Sequence, residues 1–419
     1  MNVRIKPCRL NGSVLIPPSK SLAHRAIIAA SMAEGISKIS NIQYSEDIKA
    51  TINGMRALGA EIEEFSNYLL IKGGKVRRCS NDIFANESGS TLRFLIPIAL
   101  LDESPIRFNG AGKLPLRPLD LYFELFDKFN IEYTHPEGKY LPLEIKGSLK
   151  PGVYEIRGDV SSQFITGLLY TLPQLDGDSK IVITTKLESK GYIDLTLDVL
   201  KTFGVNIDFD EQVINIKGNQ RLKAIDYMVE GDFSQAAFFL LANMLGNDVW
   251  LDGMRYDSYQ GDKKILNDIE SFGGKIVSNE GMIKALPLSC IGANISFAQS
   301  PDLGPALSVL ASLAQGSSHF YDAERLRIKE CDRITCVKEE LIKLGANIVE
   351  FDSGMDFVGT TLHGGTVDSH NDHRLAMAFA MISTVINEDL VITNAGAVKK
   401  SYPDFWEVFE RLGGKISYE

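Results

Sequence analysis

The sequence repeats an outline of about 70 residues six times, and this repeat constrains the fold more than any other feature. A helical segment ends at a Gly or Asn and is followed by two short alternating strands, as in RALGAEIEEFSNYLLIKG (56–73) and LIKLGANIVEFDSGMDFVGT (341–360). The marker positions are 71, 74, 69, 72 and 68 residues apart: Gly59, Asn130, Gly204, Gly273, Gly345 and Gly413. Gly and Asn tolerate the left-handed conformation that often ends a helix. Because a period of this length marks repeated supersecondary units, six similar αβ units are predicted.

A second series of polar residues keeps the same period and falls at the start of the predicted helices. Its members are spaced 69, 71, 71, 70 and 70 residues apart: Ser21, Ser90, Ser161, Asp232, Asp302 and Asp372. Ser and Asp are preferred N-caps because their side-chain oxygens accept hydrogen bonds from N–H groups of the first helical turn. The simplest interpretation is that all six residues are N-caps.

The six units group into two triplets. The fourth unit opens near residues 227–231, and the first sixteen residues are expected to pack on the second half. The predicted domains are residues 18–229, and residues 1–17 together with 230–419. No low-complexity segment interrupts the sequence, and its 44% of hydrophobic residues is typical of a folded globular protein.

The charge balance argues against broad electrostatic binding to nucleic acid or to an anionic membrane. Lys and Arg total 44 against 54 Asp and Glu, a formal net charge of −10. The N-terminus lacks the apolar core of a secretory signal, and no apolar run reaches the roughly 18 residues of a membrane span. The five cysteines are scattered without a CxxC pair, so neither a disulfide framework nor a zinc ribbon is expected. We expect a cytoplasmic protein.

Cations recur where the predicted helices begin, although the chain is acidic overall. They are Lys20, Arg25, Arg93, Arg117, Lys329, Arg333, Arg374 and Lys400. The positive end of the helix macrodipole disfavours cations and favours anions, so this pattern indicates a ligand with several negative charges. Lys329 and Arg333, four residues apart, would share a helix face with an anion between them. The alternative is that Glu330 and Asp332 neutralise them on a solvated face.

Two further segments suit phosphate binding. Ser161, Ser162 and Gln163 offer two hydroxyls and an amide at a helix start, although an ordinary capping run has the same composition. Gly89 brings bare backbone N–H groups into a turn, or is only a turn glycine. The sequence has no GxSxG, HExxH, Walker lysine loop or helix-opening GxGxxG, so hydrolase, zinc protease, NTPase and dinucleotide-binding functions lack support.

Ten segments, taken in order, resemble the 5-enolpyruvylshikimate-3-phosphate synthases, also called 3-phosphoshikimate 1-carboxyvinyltransferases. They are PPSKSLAHRA, ESGSTLRF, LPLRP, SSQF, SKGYID, VEGD, PDLGPA, RIKECDR, NDHRLAMAF and KKSYPDF, and they span the whole length of the chain. Each motif is weak, but the ordered set is specific. The resemblance implies an α/β (α+β) fold, a two-domain inverse α/β barrel with three βαβαββ repeats per domain and the active site in the cleft between the domains.

The family's reaction moves the enolpyruvyl group of phosphoenolpyruvate to the 5-hydroxyl of shikimate 3-phosphate and releases phosphate through a tetrahedral intermediate. The resemblance implies no metal and no other cofactor, two small-molecule substrates and a monomer. Two phosphates and two carboxylates then meet in one site, which explains the need for cations positioned in advance.

By the same resemblance, residues are assigned to each substrate, and Lys20 contacts both. Shikimate 3-phosphate would be held by Ser21, Arg25, Ser161, Ser162, Gln163, Ser189, Tyr192, Asp302 and Lys329. Phosphoenolpyruvate would be held by Gly89, Arg117, Gln163, Arg333, Arg374 and Lys400. Arginines suit this task because they form bidentate hydrogen bonds with phosphate and carboxylate groups.

Two carboxylates match the family's proton-transfer positions, with Lys20 as the third catalytic residue. Asp302 would accept the proton of the attacking hydroxyl, and Glu330 would protonate and later deprotonate the enolpyruvyl carbon. Three positions depart from the family pattern: Arg325 stands in place of an Asn, Ser90 in place of a Thr and Gly191 in place of a Pro. The Ser90 change bears on discrimination between phosphoenolpyruvate and analogues such as glyphosate.

Two alternatives differ in activity. The sister enolpyruvyl transferase that acts on UDP-N-acetylglucosamine normally has a cysteine in the loop before the Arg-Pro pair, whereas residues 110–118 read GAGKLPLRP. A non-catalytic anion-binding protein of the same fold has no reason to keep Asp302 and Glu330, because carboxylates weaken anion binding. Both observations favour the phosphoshikimate enzyme.

Overall fold

The chain folds into two compact units. The computed structural model describes residues 1–188 and 190–419, so the predicted ligand Ser189 lies outside the described residues. One unit contains Pro18–Val229, and the other combines Met1–Pro17 with Glu230–Glu419. Each unit buries a continuous apolar core of its own, which makes it an independently packed body.

The strands and helices have the following bounds. The strands are β1 (Val3–Lys6), β2 (Asn11–Leu15), β3 (Gly35–Ser40), β4 (Glu61–Glu64), β5 (Tyr68–Gly73), β6 (Asp82–Phe84), β7 (Ile106–Asn109), β8 (Glu132–Thr134), β9 (Leu143–Lys146), β10 (Val153–Ile156), β11 (Ser179–Ile183), β12 (Ile207–Asp210), β13 (Val213–Ile216), β14 (Tyr227–Met228), β15 (Asp248–Asp252), β16 (Gly274–Asn279), β17 (Met282–Pro287), β18 (Asn294–Ser296), β19 (Ser317–Tyr321), β20 (Asn347–Phe351), β21 (Gly354–Val358), β22 (Gly365–Asp368), β23 (Leu390–Thr393) and β24 (Lys415–Tyr418). The α-helices are α1 (Lys20–Met32), α2 (Glu46–Ala57), α3 (Gly89–Ala99), α4 (Asp120–Phe129), α5 (Ser162–Thr171), α6 (Lys190–Thr202), α7 (Phe233–Met244), α8 (Ile265–Ser271), α9 (Gly304–Leu313), α10 (Arg333–Ile342), α11 (His373–Ile382) and α12 (Phe405–Arg411). Short 3₁₀ helices lie at Leu114–Leu116, Leu172–Gln174, Gly261–Lys264, Pro301–Leu303, Glu324–Ile328 and Ala395–Lys400.

All six sheets share one pattern of strand pairing, in which one parallel pair is followed by two antiparallel pairs. In the sheet β10-β11-β13-β12, β10 and β11 are parallel and joined through α5, and β12 and β13 form a hairpin antiparallel to β11. The other sheets are β14-β3-β5-β4 and β6-β7-β9-β8 in the first unit, and β16-β17-β15-β2, β18-β19-β21-β20 and β22-β23-β1-β24 in the second. The structure therefore confirms the six αβ units that the repeat predicts.

One helix of each repeat lies almost wholly inside, and the sheets lie outside; these inner helices are α1, α3, α5, α7, α9 and α11. Helices α7 and α11 are buried along their whole length, whereas strands such as β19 alternate buried and exposed residues and so keep one face in solvent. This arrangement is the expected inverse α/β barrel. No helix in the described part of the chain is both long and apolar enough to cross a membrane.

The helix ends follow the first sequence pattern. All six markers adopt positive φ angles, from 54° at Asn130 to 110° at Gly413. A Cβ at Gly59 would also lie 2.7 Å from the Arg77 carbonyl oxygen, so both the φ angle and the lack of space require glycine at this position. The prediction of left-handed helix ends is confirmed.

The helix starts follow the second pattern only in part. Ser161, Asp232 and Asp372 are N-caps whose side chains accept a backbone N–H. Ser21 and Ser90 are not: the caps of α1 and α3 are Ser19 and Ser88, two residues earlier.

Asp302 is not an N-cap either, because it lies in the 3₁₀ helix before α9. Helix α9 has a proline in its first turn, and a proline brings no N–H that needs a cap. The prediction of six caps is wrong at three positions, and the Asp302 carboxylate is left to contact other groups.

Candidate active site

In the unit containing residues 230–419, Asp302 is surrounded by three cations. Its Oδ1 accepts a hydrogen bond from Arg333 Nη1 at 2.9 Å and lies 3.3 Å from Lys329 Nζ, and its Oδ2 accepts from Arg374 Nη2 at 3.1 Å. Burial alone would raise the pKa of Asp302, but the positive charges of Arg374, Lys329 and Arg333 hold that pKa well below its usual range. We call Asp302, Lys329, Glu330, Arg333, Asp372 and Arg374 the Asp302 cluster.

Arg333 is the most enclosed cation of the cluster, with 1% of its surface exposed. Its Nε donates to Asp372 Oδ2 at 2.7 Å, its Nη2 to Glu330 Oε2 at 2.7 Å and its Nη1 to Asp302. Burial disfavours the charge, but the three carboxylates outweigh burial and raise the pKa of Arg333 well above its usual value. These carboxylates also offset the unfavourable position of a cation at the first residue of helix α10.

The structure corrects the predicted helical pair of Lys329 and Arg333. Lys329 ends the 3₁₀ helix Glu324–Ile328, whereas Arg333 begins α10, so the two residues do not share a helix. Both nevertheless contact one anion, the protein's own Asp302. The alternative holds in part, since Glu330 pairs with Arg333 while Asp332 caps α10 and bonds to Arg327.

The Lys329 amine holds its proton less tightly than an ordinary lysine. Burial lowers the pKa of its amine to about 8, Asp302 opposes this shift, and the charges of Arg325 and Arg333 add to it. An anionic ligand at this amine would stabilise the charged form.

Arg374 keeps hydrogen-bonding capacity for a ligand. Only 4% of its surface is exposed, and its Nη2 donates to Ser234 Oγ at 3.1 Å as well as to Asp302. Its Nη1 is buried and has no hydrogen-bond partner among the residues that the structure describes. A buried, unpaired guanidinium nitrogen is costly, so this atom indicates a place for an external acceptor. Lys400 donates from Nζ to the Asn371 carbonyl oxygen at 2.8 Å.

In the unit containing residues 18–229, Arg25 is a buried cation with neutral partners. It is 3% exposed, and it donates from Nε to Thr196 Oγ1 at 2.8 Å, from Nη1 to the Ser21 carbonyl at 2.8 Å and from Nη2 to the Tyr192 carbonyl at 3.0 Å. Burial lowers the pKa of Arg25 to about 10. Because buried charges are normally paired, this arginine calls for an anion.

A second group in the same unit surrounds the Gly89 turn. Gln163 accepts from Arg93 Nη1 at 2.8 Å and donates to Ser90 Oγ at 2.9 Å, which ties the start of α5 to the start of α3. A Cβ built on Gly89 would lie 2.9 Å from Arg117 Nη1 and 3.1 Å from Arg93 Nη1. The turn is therefore packed closely against two guanidinium groups.

Replacing Gly89 with Ala is expected to displace the Arg117 guanidinium, because the added methyl group occupies its place. If this turn binds the phosphoenolpyruvate that the family resemblance implies, KM for that substrate should rise about tenfold, with a smaller change in KM for the second substrate. Steady-state kinetics with each substrate varied in turn measure this. Gly74→Ala is the matched control, since a Cβ there meets no atom within 4 Å. Equal KM values for the two variants would refute the packing argument.

Lys20, the first residue of α1, forms an ion pair with a residue that the sequence did not single out. Its Nζ lies 2.8 Å from Asp47 Oδ2 in the first turn of α2, and both side chains are largely buried. The carboxylate holds the amine at the helix start until an anion competes for it.

The structure thus groups most of the predicted site residues within each unit. Asp302 contacts Lys329, Arg333 and Arg374, and Arg333 contacts Glu330, so these five residues form one connected group. Ser21, Arg25 and Tyr192 form a second group, and Gly89, Arg117 and Gln163 a third. Ser161 caps α5 and Ser162 is its buried first residue.

Sequence analysis missed the roles of several partners. Asp47 pairs with Lys20, Asp372 with Arg333, Thr196 with Arg25 and Ser234 with Arg374. Asp372 carried a signal, its place in the 70-residue series, but that signal was interpreted as capping alone. Its side chain both caps α11, by accepting the Arg374 backbone N–H at 2.8 Å, and pairs with Arg333.

Each unit therefore contains groups suited to binding small anions: the buried Arg25 in the unit 18–229, and Arg374 with the ionised Asp302 among three cations in the unit 230–419. Solved structures show which proteins have this fold. An EPSP synthase from Acinetobacter baumannii superimposes with a TM-score of 0.82 at 24% identity over 100% of both chains. The enolpyruvyl transferase NikO from Streptomyces tendae gives 0.79 at 17% identity, covering 100% of this chain and 98% of that one. The fold is that of the enolpyruvyl transferases.

Sequence comparison narrows this class. Residues 5–409 match the family described as EPSP synthase (3-phosphoshikimate 1-carboxyvinyltransferase). A 3-phosphoshikimate 1-carboxyvinyltransferase of Clostridium novyi (strain NT) is 50% identical over 99% of this chain and 98% of the relative, and one of Clostridium perfringens (strain ATCC 13124) is 48% identical over 100% and 99%. The chain belongs to the EPSP synthase family, which confirms the resemblance seen in the ten motifs.

Proposed function

We propose that this chain carries out the reaction for which its family is named. The 5-hydroxyl of shikimate 3-phosphate loses its proton and its oxygen forms a C–O bond with C2 of phosphoenolpyruvate, while the C2–C3 double bond becomes single and C3 gains a proton. Loss of that proton and cleavage of the bond to phosphate then give 5-enolpyruvylshikimate 3-phosphate and phosphate. Family membership over residues 5–409 supports the reaction, and the structural observation that carries it is the buried Arg25, whose hydrogen-bond partners among the described residues are all neutral.

We propose that shikimate 3-phosphate binds chiefly to residues of the unit 18–229. Arg25 supplies a buried charge that needs an anion, and the helix start at Ser161 offers hydroxyl and N–H groups. The further proposed contacts are Lys20, Ser21, Ser162, Gln163, Ser189 and Tyr192, with Asp302 and Lys329 from the unit 230–419. The shared cleft implied by the family resemblance stays a prediction.

We propose that phosphoenolpyruvate binds to residues of both units. The close packing of Arg117 on Gly89 and the unpaired Nη1 of Arg374 support this assignment. Lys20, Gln163, Arg333 and Lys400 complete the proposed set. Because Arg333 already contacts three carboxylates, its contribution to anion binding depends on its remaining N–H groups.

The proposed proton-transfer groups are Asp302 and Glu330, with Lys20 assisting through its charge. In the ligand-free structure the cations keep the pKa of Asp302 low, which makes it a weak base. Anionic substrates share these cations and so raise the pKa of Asp302 toward the value that proton transfer requires. Substrate binding is thus proposed to activate the base.

Finer properties are also proposed. The net charge of −10 and the scattered cysteines support a cytoplasmic enzyme without a nucleic-acid or membrane partner, acting as a monomer. Glyphosate, as an analogue of phosphoenolpyruvate, is proposed to bind to the same residues. Ser90 is proposed to affect glyphosate binding. Its hydroxyl accepts a hydrogen bond from Gln163 Nε2 at 2.9 Å and so orients a residue that is proposed to contact both substrates.

Phosphate release by the purified chain tests the reaction. We expect release with phosphoenolpyruvate and shikimate 3-phosphate, and none when UDP-N-acetylglucosamine replaces the shikimate compound. Release with the nucleotide sugar alone would favour the sister transferase. Calorimetric binding of shikimate 3-phosphate without phosphate release would favour a non-catalytic anion-binding protein.

A further inference from the structure

Glu340 is a buried carboxylate that has no role in the proposed reaction. It lies on helix α10 seven residues after Arg333, and 1% of its surface is exposed. Its Oε2 accepts from Lys343 Nζ at 2.7 Å and from the Asp368 backbone N–H at 2.9 Å, and its Oε1 lies 2.8 Å from His370 Nε2. Two of these three contacts are to the segment 368–371, which precedes helix α11.

That segment has an unusual backbone. His370 and Asn371 both adopt left-handed conformations, with φ of 50° and 58°. Two successive non-glycine residues keep such angles only where the surroundings impose them, and strained residues of this kind concentrate at functional sites. Asp368 holds the turn from one side, since its Oδ1 accepts the His370 N–H at 2.7 Å. Glu340 holds it from the other side through the His370 ring.

The turn presents one group to the proposed active site. The Asn371 carbonyl oxygen accepts from Lys400 Nζ at 2.8 Å. The next residue, Asp372, caps α11 and accepts from Arg333 Nε. Helix α10 therefore bonds to this part of the chain at two points. Glu340 bonds to Asp368 and His370 within the segment, and Arg333 bonds to Asp372 directly after it.

A metal site is the competing interpretation of this region. Donor atoms of Glu339, Glu340 and His370 lie within 4.8 Å of one another. The Lys343 ammonium group, however, lies 2.7 Å from Glu340 Oε2, and a cation at that distance opposes a second cation. Both oxygens of Glu340 already have protein donors or partners, so a structural link explains the contacts better.

We propose that Glu340 is a positioning residue for Lys400. It fixes the left-handed turn at His370 and Asn371, and the turn sets where the Asn371 carbonyl holds the Lys400 ammonium group. This inference rests on the proposed function, in which Lys400 binds phosphoenolpyruvate.

Glu340→Gln tests the proposal by removing the charge while keeping the size. We expect KM for phosphoenolpyruvate to rise about tenfold, with kcat and KM for shikimate 3-phosphate within about twofold of the unchanged enzyme. Glu339→Gln, the same change at the exposed neighbouring residue, is the control and is expected to alter neither KM. A role in stability alone would lower the melting temperature and leave KM for phosphoenolpyruvate unchanged, and that result would overturn the proposal.

A double-mutant cycle separates this inference from the function on which it rests. If Glu340 acts through Lys400, Glu340→Gln adds no further rise in KM once Lys400→Met is present. Independent, multiplying effects would contradict the link. If Lys400→Met alone leaves KM for phosphoenolpyruvate unchanged, the assignment of Lys400 fails and the inference fails with it. Should Glu340→Gln fold poorly, His370→Leu removes the same contact from its less buried side, because leucine has no group that can bond to Glu340, and an unchanged KM for phosphoenolpyruvate there would also refute the proposal.

Discussion

Asp302→Asn is expected to lower kcat by about 10²- to 10⁴-fold, because an amide cannot accept the proton of the attacking hydroxyl. The change keeps the shape of the side chain but removes the negative charge shared by Lys329, Arg333 and Arg374. The positive charge of those cations is then less neutralised. Phosphoenolpyruvate is therefore expected to bind several-fold more tightly than to the unchanged enzyme. Activity and affinity should therefore move in opposite directions.

Stability provides a second readout for the same variant. Removing one member of a largely buried ion cluster is expected to lower the free energy of unfolding by about 2–3 kcal/mol. Added phosphoenolpyruvate should restore more stability to the variant than to the unchanged enzyme. Single-turnover phosphate release, calorimetry and urea unfolding measure these three quantities.

A matched control distinguishes chemistry from folding. Asp268 is a buried aspartate of the same unit that pairs with Lys264. Burial raises the pKa of the Asp268 carboxyl, so Asp268→Asn removes a disfavoured charge and should leave kcat within about twofold. Glu330→Gln, which can still accept from Arg333 Nη2, should lower kcat by about 10²-fold or more. If Asp302→Asn kept kcat within tenfold of the unchanged enzyme, Asp302 would not be the base.

The repeat architecture was predictable because it depends on local physics. A Gly or Asn at each helix end is needed for a left-handed angle, and alternating residues form the hairpin that follows. Both patterns operate within about twenty residues, so they are visible in the sequence. All six markers do take positive φ angles.

The prediction was weaker where a residue's role depends on packing between distant segments. Ser21 and Ser90 matched a capping pattern, yet Ser19 and Ser88 form the caps. Both positions have serines two residues apart, and only the entry angle of the chain decides between them. Asp302 kept the 70-residue period, but the proline in the first turn of α9 removed the need for a cap.

The charges of the site were predicted as cations seeking an external anion, and the structure divides them into two kinds. Arg333 satisfies its charge inside the protein through Asp372, 39 residues away in sequence. Arg25 does not, because its partners among the described residues are two hydroxyls, those of Thr166 and Thr196, and two carbonyl groups. In the sequence alone, both arginines are equally good candidates for binding an anion. The distinction requires knowing which segments meet, and it identifies Arg25 as the cation that most needs a ligand.

Arg25→Gln is accordingly expected to weaken shikimate 3-phosphate binding by about 10²-fold, the cost of losing a buried charged hydrogen bond of roughly 3 kcal/mol. The free energy of unfolding without ligand should stay within about 1 kcal/mol, since the buried charge that is removed offsets the hydrogen bonds lost with it. Calorimetry with shikimate 3-phosphate and urea unfolding measure the two effects.

An arginine elsewhere in the same unit controls for the substitution. Arg78 also donates to carbonyl oxygens, those of Ala99, Asp102 and Ser104. Arg78→Gln should reduce stability, because it releases carbonyls at the end of α3, and leave binding of shikimate 3-phosphate unchanged. If instead Arg25→Gln destabilised the free protein strongly and bound shikimate 3-phosphate normally, Arg25 would be a structural residue, and the anion site would have to be sought elsewhere in its unit.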